Sequence, residues 1–133
     1  MVAPIINFVM DIKTEAKIMR IFISSTDKFK HKPLNQMIVY LAKRNGLAGA
    51  TVFRGTMGFG PSSTHIYQPT VWEVVDKTPM VIEIVDDAEK IDAFFKLLKP
   101  YLELVRTGCL ITCEKADVIF YKKGEKKKGF FEL

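Results

Sequence analysis

The chain is poor in the residues that advertise covalent or metal chemistry. Its 133 residues include two cysteines, two histidines and one tryptophan. Cys109 and Cys113 sit in one apolar run. On a strand they share a face about 13 Å apart at ~3.3 Å per residue. That is beyond the roughly 7 Å reach of a disulfide, so both are expected to be buried thiols of a reduced, cytoplasmic protein. His31 and His65 lie far from them in sequence, and no second Cys or His pair completes a zinc spacing, so no metal site is expected. No Ser-His-Asp or Cys-His arrangement has a motif around it, which argues against a hydrolytic enzyme. No apolar run is long enough to span a bilayer, so no membrane insertion is expected. Residues 2–10 are apolar, but no basic residue precedes them and no small-residue cleavage site follows, which makes a poor signal peptide. Residues 1–16 therefore read as an N-terminal extension ahead of a domain at 17–133, with Met10 and Met19 as alternative starting points.

What is present is an ordinary globular balance, 48% apolar and 26% charged, in a length that suits one domain with a real core. The formal net charge is +5. Much of it is local: residues 122–128 hold Lys122, Lys123, Lys126, Lys127 and Lys128 against the single acid Glu125. The pattern is a nearly neutral domain with a basic tail.

Residues 17–25 alternate, with Ile18, Arg20 and Phe22 on one side and Met19, Ile21 and Ile23 on the other, as in a central strand. A polar loop at 27–32 leads to Pro33, suited to a helix start. Leu34, Met37, Ile38 and Leu41 recur at helical spacing until Gly46. Residues 47–57 return to a strand pattern, then Gly55, Gly58 and Gly60 crowd together. Residues 61–78 form a long connection, a length that usually signals function or mobility. A third strand at 80–85 precedes Asp86 and Glu89, spaced as a helix cap, and Ile91, Phe94, Phe95 and Leu98 form an apolar helix face. Pro100 is expected to end or kink that helix, with Tyr101 to Arg106 as a further turn beyond it and Gly108 closing the segment. Two last strands are expected at 109–113 and 117–122. The order β-α-β, loop, β-α-β is economically solved as a ferredoxin-like α+β fold, an antiparallel sheet with two helices on one face. The other sheet face then needs a cover, from another subunit or from the extension.

Residues 46–60 read Gly-Leu-Ala-Gly-Ala-Thr-Val-Phe-Arg-Gly-Thr-Met-Gly-Phe-Gly. This segment resembles the hallmark of the PII-like proteins grouped as domain-of-unknown-function family number 190, and is more distantly similar to the PII nitrogen-regulatory proteins. The likeness continues through Pro-Met-Val-Ile-Glu-Ile-Val-Asp-Asp at 79–87 and Thr107-Gly108. It implies a homotrimer whose sheets face inward, a T-loop-like arm at 61–78 that touches a target protein, and an adenine nucleotide bound in clefts between subunits. Gly49, Thr51, Gly58 and Gly60 match cleft positions, and Lys122 aligns with a phosphate-contacting basic residue. Two departures bear on the ligand. The Gly-Asp-Gly-Lys phosphate loop has no counterpart between Gly108 and Ala116, and Phe120 replaces one of two arginines. ADP or AMP is therefore expected to bind at least as well as ATP. One extra residue lies between Thr51 and Gly58, as if bulged at Gly55, and Tyr67 lies only near the place of the modifiable tyrosine.

Read from the residues alone, several of these positions carry two meanings. Gly55, Gly58 and Gly60 allow close backbone approach to a phosphate, with Phe59 between them, or simply permit a sharp strand exit. Arg54 offers a fork of donors to a phosphate or to an interface carboxylate. Lys30, His31 and Lys32 are an anion site at a helix start or a solvated loop. His65, Tyr67 and Trp72 form a partner-contact surface or pack on a neighbouring subunit. The Lys122–Lys128 run is a solvated tail or a contact for phosphate or an acidic partner. Two other functions share the fold. A nucleic-acid-binding domain would use the basic tail, but Met57-Gly-Phe-Gly-Pro61 only half imitates an RNA-recognition signature, so no nucleic acid is expected. A ligand-free assembly protein is the other.

Overall fold

A computed structural model describes residues 15–61 and 77–125. Strand β1 (Ala16–Ser24) follows the alternation of its sequence: Met19, Ile21 and Ile23 are buried, while Ile18, Arg20 and Phe22 are half-buried. A short hairpin follows, β2 (Lys28–Phe29) paired with β3 (Lys32–Pro33). Its turn is made by Lys30 and His31, both at positive φ (46° and 71°), the conformation that a two-residue hairpin turn requires. Helix α1 (Leu34–Arg44) starts from Pro33, whose φ of −57° is already helical, and buries Leu34, Ile38 and Ala42. It ends at Asn45, and Gly46 takes the left-handed conformation at φ +78°. Strand β4 (Thr51–Arg54) is short, and all four of its residues are exposed. Strand β5 (Pro79–Asp87), helix α2 (Ala88–Leu104) and strand β6 (Leu110–Ala116) complete the order.

Strands β1, β4, β5 and β6 form one antiparallel sheet in the order β4-β5-β1-β6. Met80, Ile82 and Ile84 of β5 join Met19, Ile21 and Ile23 of β1 beneath Leu34 and Ile38 of α1 and Ile91, Phe94 and Leu98 of α2 in a single core. Both helices thus pack on one face, as the ferredoxin-like reading requires. Each fully buried aliphatic chain in that layer contributes about 1.5–3 kcal/mol.

The strand register also fixes the opposite face. Phe53 pairs with Val81, Val81 with Phe22 and Phe22 with Leu110, so one apolar row crosses all four strands. Phe53 and Leu110 in that row are 51% and 48% exposed. The next row holds Thr51, Glu83, Arg20 and Thr112. There Arg20 Nε donates to Glu83 at 2.9 Å, and its Nη1 donates to Glu114. Those bonds, to Glu114 first and then Glu83, raise the Arg20 pKa and keep its charge fixed.

Several local expectations are corrected. The second strand covers only 51–54, because beyond Gly55 it has lost its ladder with β5: Gly55 N–H makes the last bond, to Pro79 O at 2.8 Å. A Cβ on Gly55 would lie 2.9 Å from Pro79 Cγ, so the strand exit needs this glycine. Helix α2 continues through Pro100 to Leu104, since Leu98 and Leu102 anchor its inner face on either side. The segment 117–122 has no continuous strand, only a single-residue β-bridge at Lys122. Cys109 and Cys113 are exposed rather than buried: Cys113 lies on β6, an edge strand among the described residues, and Cys109 lies in the turn just before it. Desolvation by adjoining apolar groups still pushes both thiol pKa values up.

Asp86 does not cap α2; that place belongs to Asp87. Asp86 is buried at the end of β5, where Oδ2 accepts from Ala48 N–H at 2.8 Å and Oδ1 from Asp87 N–H at 2.7 Å. One carboxylate thus ties the α1–β4 loop to the central sheet. Asp86→Ala strands the Ala48 N–H and is expected to cost on the order of 1–3 kcal/mol. In urea unfolding this appears as a lowered midpoint with an unchanged slope.

Candidate functional site

The loop fixed by Asp86 leads directly into β4, whose side chains alternate between the two sheet faces. Thr51 and Phe53 share the open face with Glu83 and Val81, while Val52 and Arg54 share the helix side with Ile82 and Met80. On the open side, residues 48–51 form one wall of a groove of about 330 Å³. Glu83 and Val85 form its base, and Val118, Phe120 and Tyr121 close it. The chain after β6 therefore comes back against β4 and β5. Gly49 lies bare in the wall, and a Cβ built there meets no atom within 4 Å. The carboxylate of Glu83 at the base is paired with Arg20, which it shares with Glu114.

Of the residues singled out in the sequence, the structure brings Gly49 and Thr51 into this groove, next to Phe120 and beside the neighbour of Lys122. Arg54 is not among them. It lines a separate groove on the helix side, and its Nη1 donates to Thr78 Oγ1 at 3.3 Å. Gly58 has φ +150° and forms a single-residue β-bridge. Phe59 is 69% exposed, and a Cβ on Gly60 would meet nothing within 4 Å. His65, Tyr67 and Trp72 lie outside the described residues.

The feet of the long connection sit together at one end of the sheet. Pro61 packs against Gly108, where an added Cβ would come within 2.9 Å of Pro61 Cβ and 3.1 Å of its carbonyl carbon. Thr78 is buried; its N–H donates to Ser25 Oγ at 2.8 Å, and its carbonyl accepts from Ser25 N–H at 2.8 Å. Gly108 is thus fixed by packing, and the turn between α2 and β6 is occupied by Pro61.

Sequence reasoning missed Glu83, Val85, Val118 and Tyr121. Their signal was available only in part: Glu83 and Val85 share parity, but only the register with β4 puts them beside Thr51.

The sequence pattern of the DUF190 family, described as Uncharacterized ACR, matches residues 16–118. A UPF0166 protein of Aquifex aeolicus is 36% identical over 104 residues, covering 78% of this chain and 93% of that one. A UPF0166 protein of Methanocaldococcus jannaschii is 30% identical over 111 residues, covering 84% and 95%. Among solved structures, CPII from Thiomonas intermedia K12, a nitrogen regulatory PII-like protein bound to ADP, AMP and bicarbonate, superposes with a TM-score of 0.51 at 17% identity. That likeness covers 77% of this chain and 88% of that one. With its antiparallel sheet, its two helices on one face and the hallmark segment placed at the edge strand, this chain belongs to the DUF190 family and has the PII-like fold.

Proposed function

We propose that the protein is a PII-like regulatory module that binds an adenine nucleotide in the groove walled by residues 48–51 and reports it through the connection at 61–78, without catalysis. The observation that carries the reading is the groove itself. Its volume of about 330 Å³ falls at the lower end of the ~300–1,000 Å³ usual for small-ligand sites. That size suits a purine nucleoside whose phosphates extend past the mouth. Val85, Val118 and Phe120 offer apolar surface to a base, and Thr51 and Tyr121 offer hydroxyls. A PII-like protein of the same fold binds ADP and AMP, which supports the ligand class.

Gly58 and Gly60, with Lys122, are the groups proposed for the phosphates. ADP or AMP is proposed to bind at least as well as ATP because the chain has no Gly-Asp-Gly-Lys phosphate loop between Gly108 and Ala116. Arg54 is left outside the proposal by its position on the helix side of β4. Reporting needs only that the nucleotide favour one arrangement of the loop; its differential affinity then shifts the population. The homotrimer is proposed on the apolar row of Phe53, Val81, Phe22 and Leu110, which a second layer must cover.

Isothermal titration tests the ligand. ADP is expected to bind wild type at least as tightly as ATP. Gly49→Leu adds a side chain into open groove space without a backbone clash, and is expected to weaken ADP by about tenfold or more, equal to ~1.4 kcal/mol. Arg54→Ala is expected to leave ADP affinity within about twofold, a change of roughly 0.4 kcal/mol. No heat with any of the three nucleotides would remove the reading.

Sedimentation tests the assembly. Wild type is expected to run as a trimer. Phe53→Glu, placing a charge in the apolar row of an already exposed position, is expected to shift it towards monomer. A wild-type chain that stays monomeric at working concentration would remove the trimer.

A further inference from the structure

Residues 28–54 hold Lys28, Lys30, Lys32, Lys43, Arg44 and Arg54 and not one Asp or Glu. All six are exposed. Lys43 and Arg44 have a local reason, since cations in the last turn of α1 complement the helix dipole. The rest have no such role, and the basic character of this region is separate from the lysine tail.

The surface they surround is not flat. Tyr40, 65% exposed, forms a ridge on the outer side of α1 with a groove on each flank. One groove, about 390 Å³, runs between α1 and β4; Val39, Val52 and Met80 give it apolar walls, and Arg54 is its only charged lining residue. The other, about 440 Å³, has Pro33, Met37 and Leu41 as apolar walls, with Lys32 at one end and Arg44 at the other. Lys32 lies just ahead of the helix and Arg44 at its end, with a helix about 15 Å long between them at ~1.5 Å per residue. Among the described residues, neither groove is lined by a carboxylate.

We infer that the outer face of α1 is a docking surface for an acidic peptide segment of a partner protein, with apolar or aromatic anchors seated on either side of Tyr40. Charge complementarity selects the sign of the partner, as its carboxylates would meet Lys32, Arg44 and Arg54. The aliphatic walls select a peptide over a nucleic acid. A bound strand of nucleic acid needs a continuous cationic track and several stacking aromatics, whereas here the cations stand at groove ends and Tyr40 is the one exposed aromatic of α1. The surface lies on the helix layer, on the far side of the sheet from the proposed assembly face, so it stands independently of the nucleotide groove.

The test is fluorescence anisotropy with a labelled synthetic peptide of glutamates carrying phenylalanine anchors, alongside a single-stranded RNA oligonucleotide. The peptide is expected to bind saturably and to weaken as salt shortens the Debye length from about 14 Å to about 4 Å. The double variant Lys32→Glu, Arg44→Glu is expected to bind it about tenfold or more weakly, and Tyr40→Ala about threefold or more weakly. Lys96→Glu, an exposed cation on α2, is expected to change binding by less than about twofold, as isolated surface charges do. Far-ultraviolet circular dichroism and a thermal melt matching wild type establish that the variants are folded. Absence of peptide binding, equal losses from Lys96→Glu, or tighter binding of the RNA would each overturn the assignment.

Discussion

The subunit depends on β1, held between β5 and β6 with alternate side chains committed to opposite sides. Met19, Ile21 and Ile23 go under the helices; Ile18, Arg20 and Phe22 face the other way. A register slip of one residue would exchange these sets and bring Arg20 into the core. Arg20 resists this from its own side, because Glu83 and Glu114 on the two flanking strands both hold it. The same commitment puts an apolar row on the face that, among the described residues, carries no helix.

The second consequence falls at the edge. Among the described residues β4 pairs with β5 alone, which places it and the loop before it at the edge of the sheet. Asp86 binds that loop to β5 through Ala48 N–H, while Ser25 and Thr78 bind the far foot of the long connection to β1. The groove wall is thus held to β5 and the foot at Thr78 to the end of β1, while the foot at Pro61 lies against Gly108.

The parts of this architecture legible in the sequence were those where one side chain pattern decides the outcome. β1, α1, β5 and the first turns of α2 each bury a clean stripe, and their order limits the topology to very few choices. Less legible were features set by partners distant in sequence. Asp86 looked like a cap because Glu89 lies three residues on; its role became visible only with Ala48 beside it. Pro100 looked like an end or a kink with a further turn beyond it because propensity is local, whereas packing at Leu98 and Leu102 carries one helix from Ala88 to Leu104. Cys109 and Cys113 looked buried because their run is apolar, yet an edge strand and the turn before it cover only part of what they carry. The candidate residues divide by strand parity: Gly49 and Thr51 line the groove on the open side, while Arg54, three residues past Thr51, falls by alternation on the other face.

The most direct measurement is an amide and methyl NMR titration of the intact protein with ADP. Binding in the groove moves signals of Gly49, Thr51, Glu83 and Val85 and of residues 118–121 together, along one saturable curve, while Ile91, Phe94 and Leu98 beneath the helices stay in place. Shifts confined to the helix side around Tyr40 and Arg54, or no shifts at saturating ADP, would contradict the nucleotide groove.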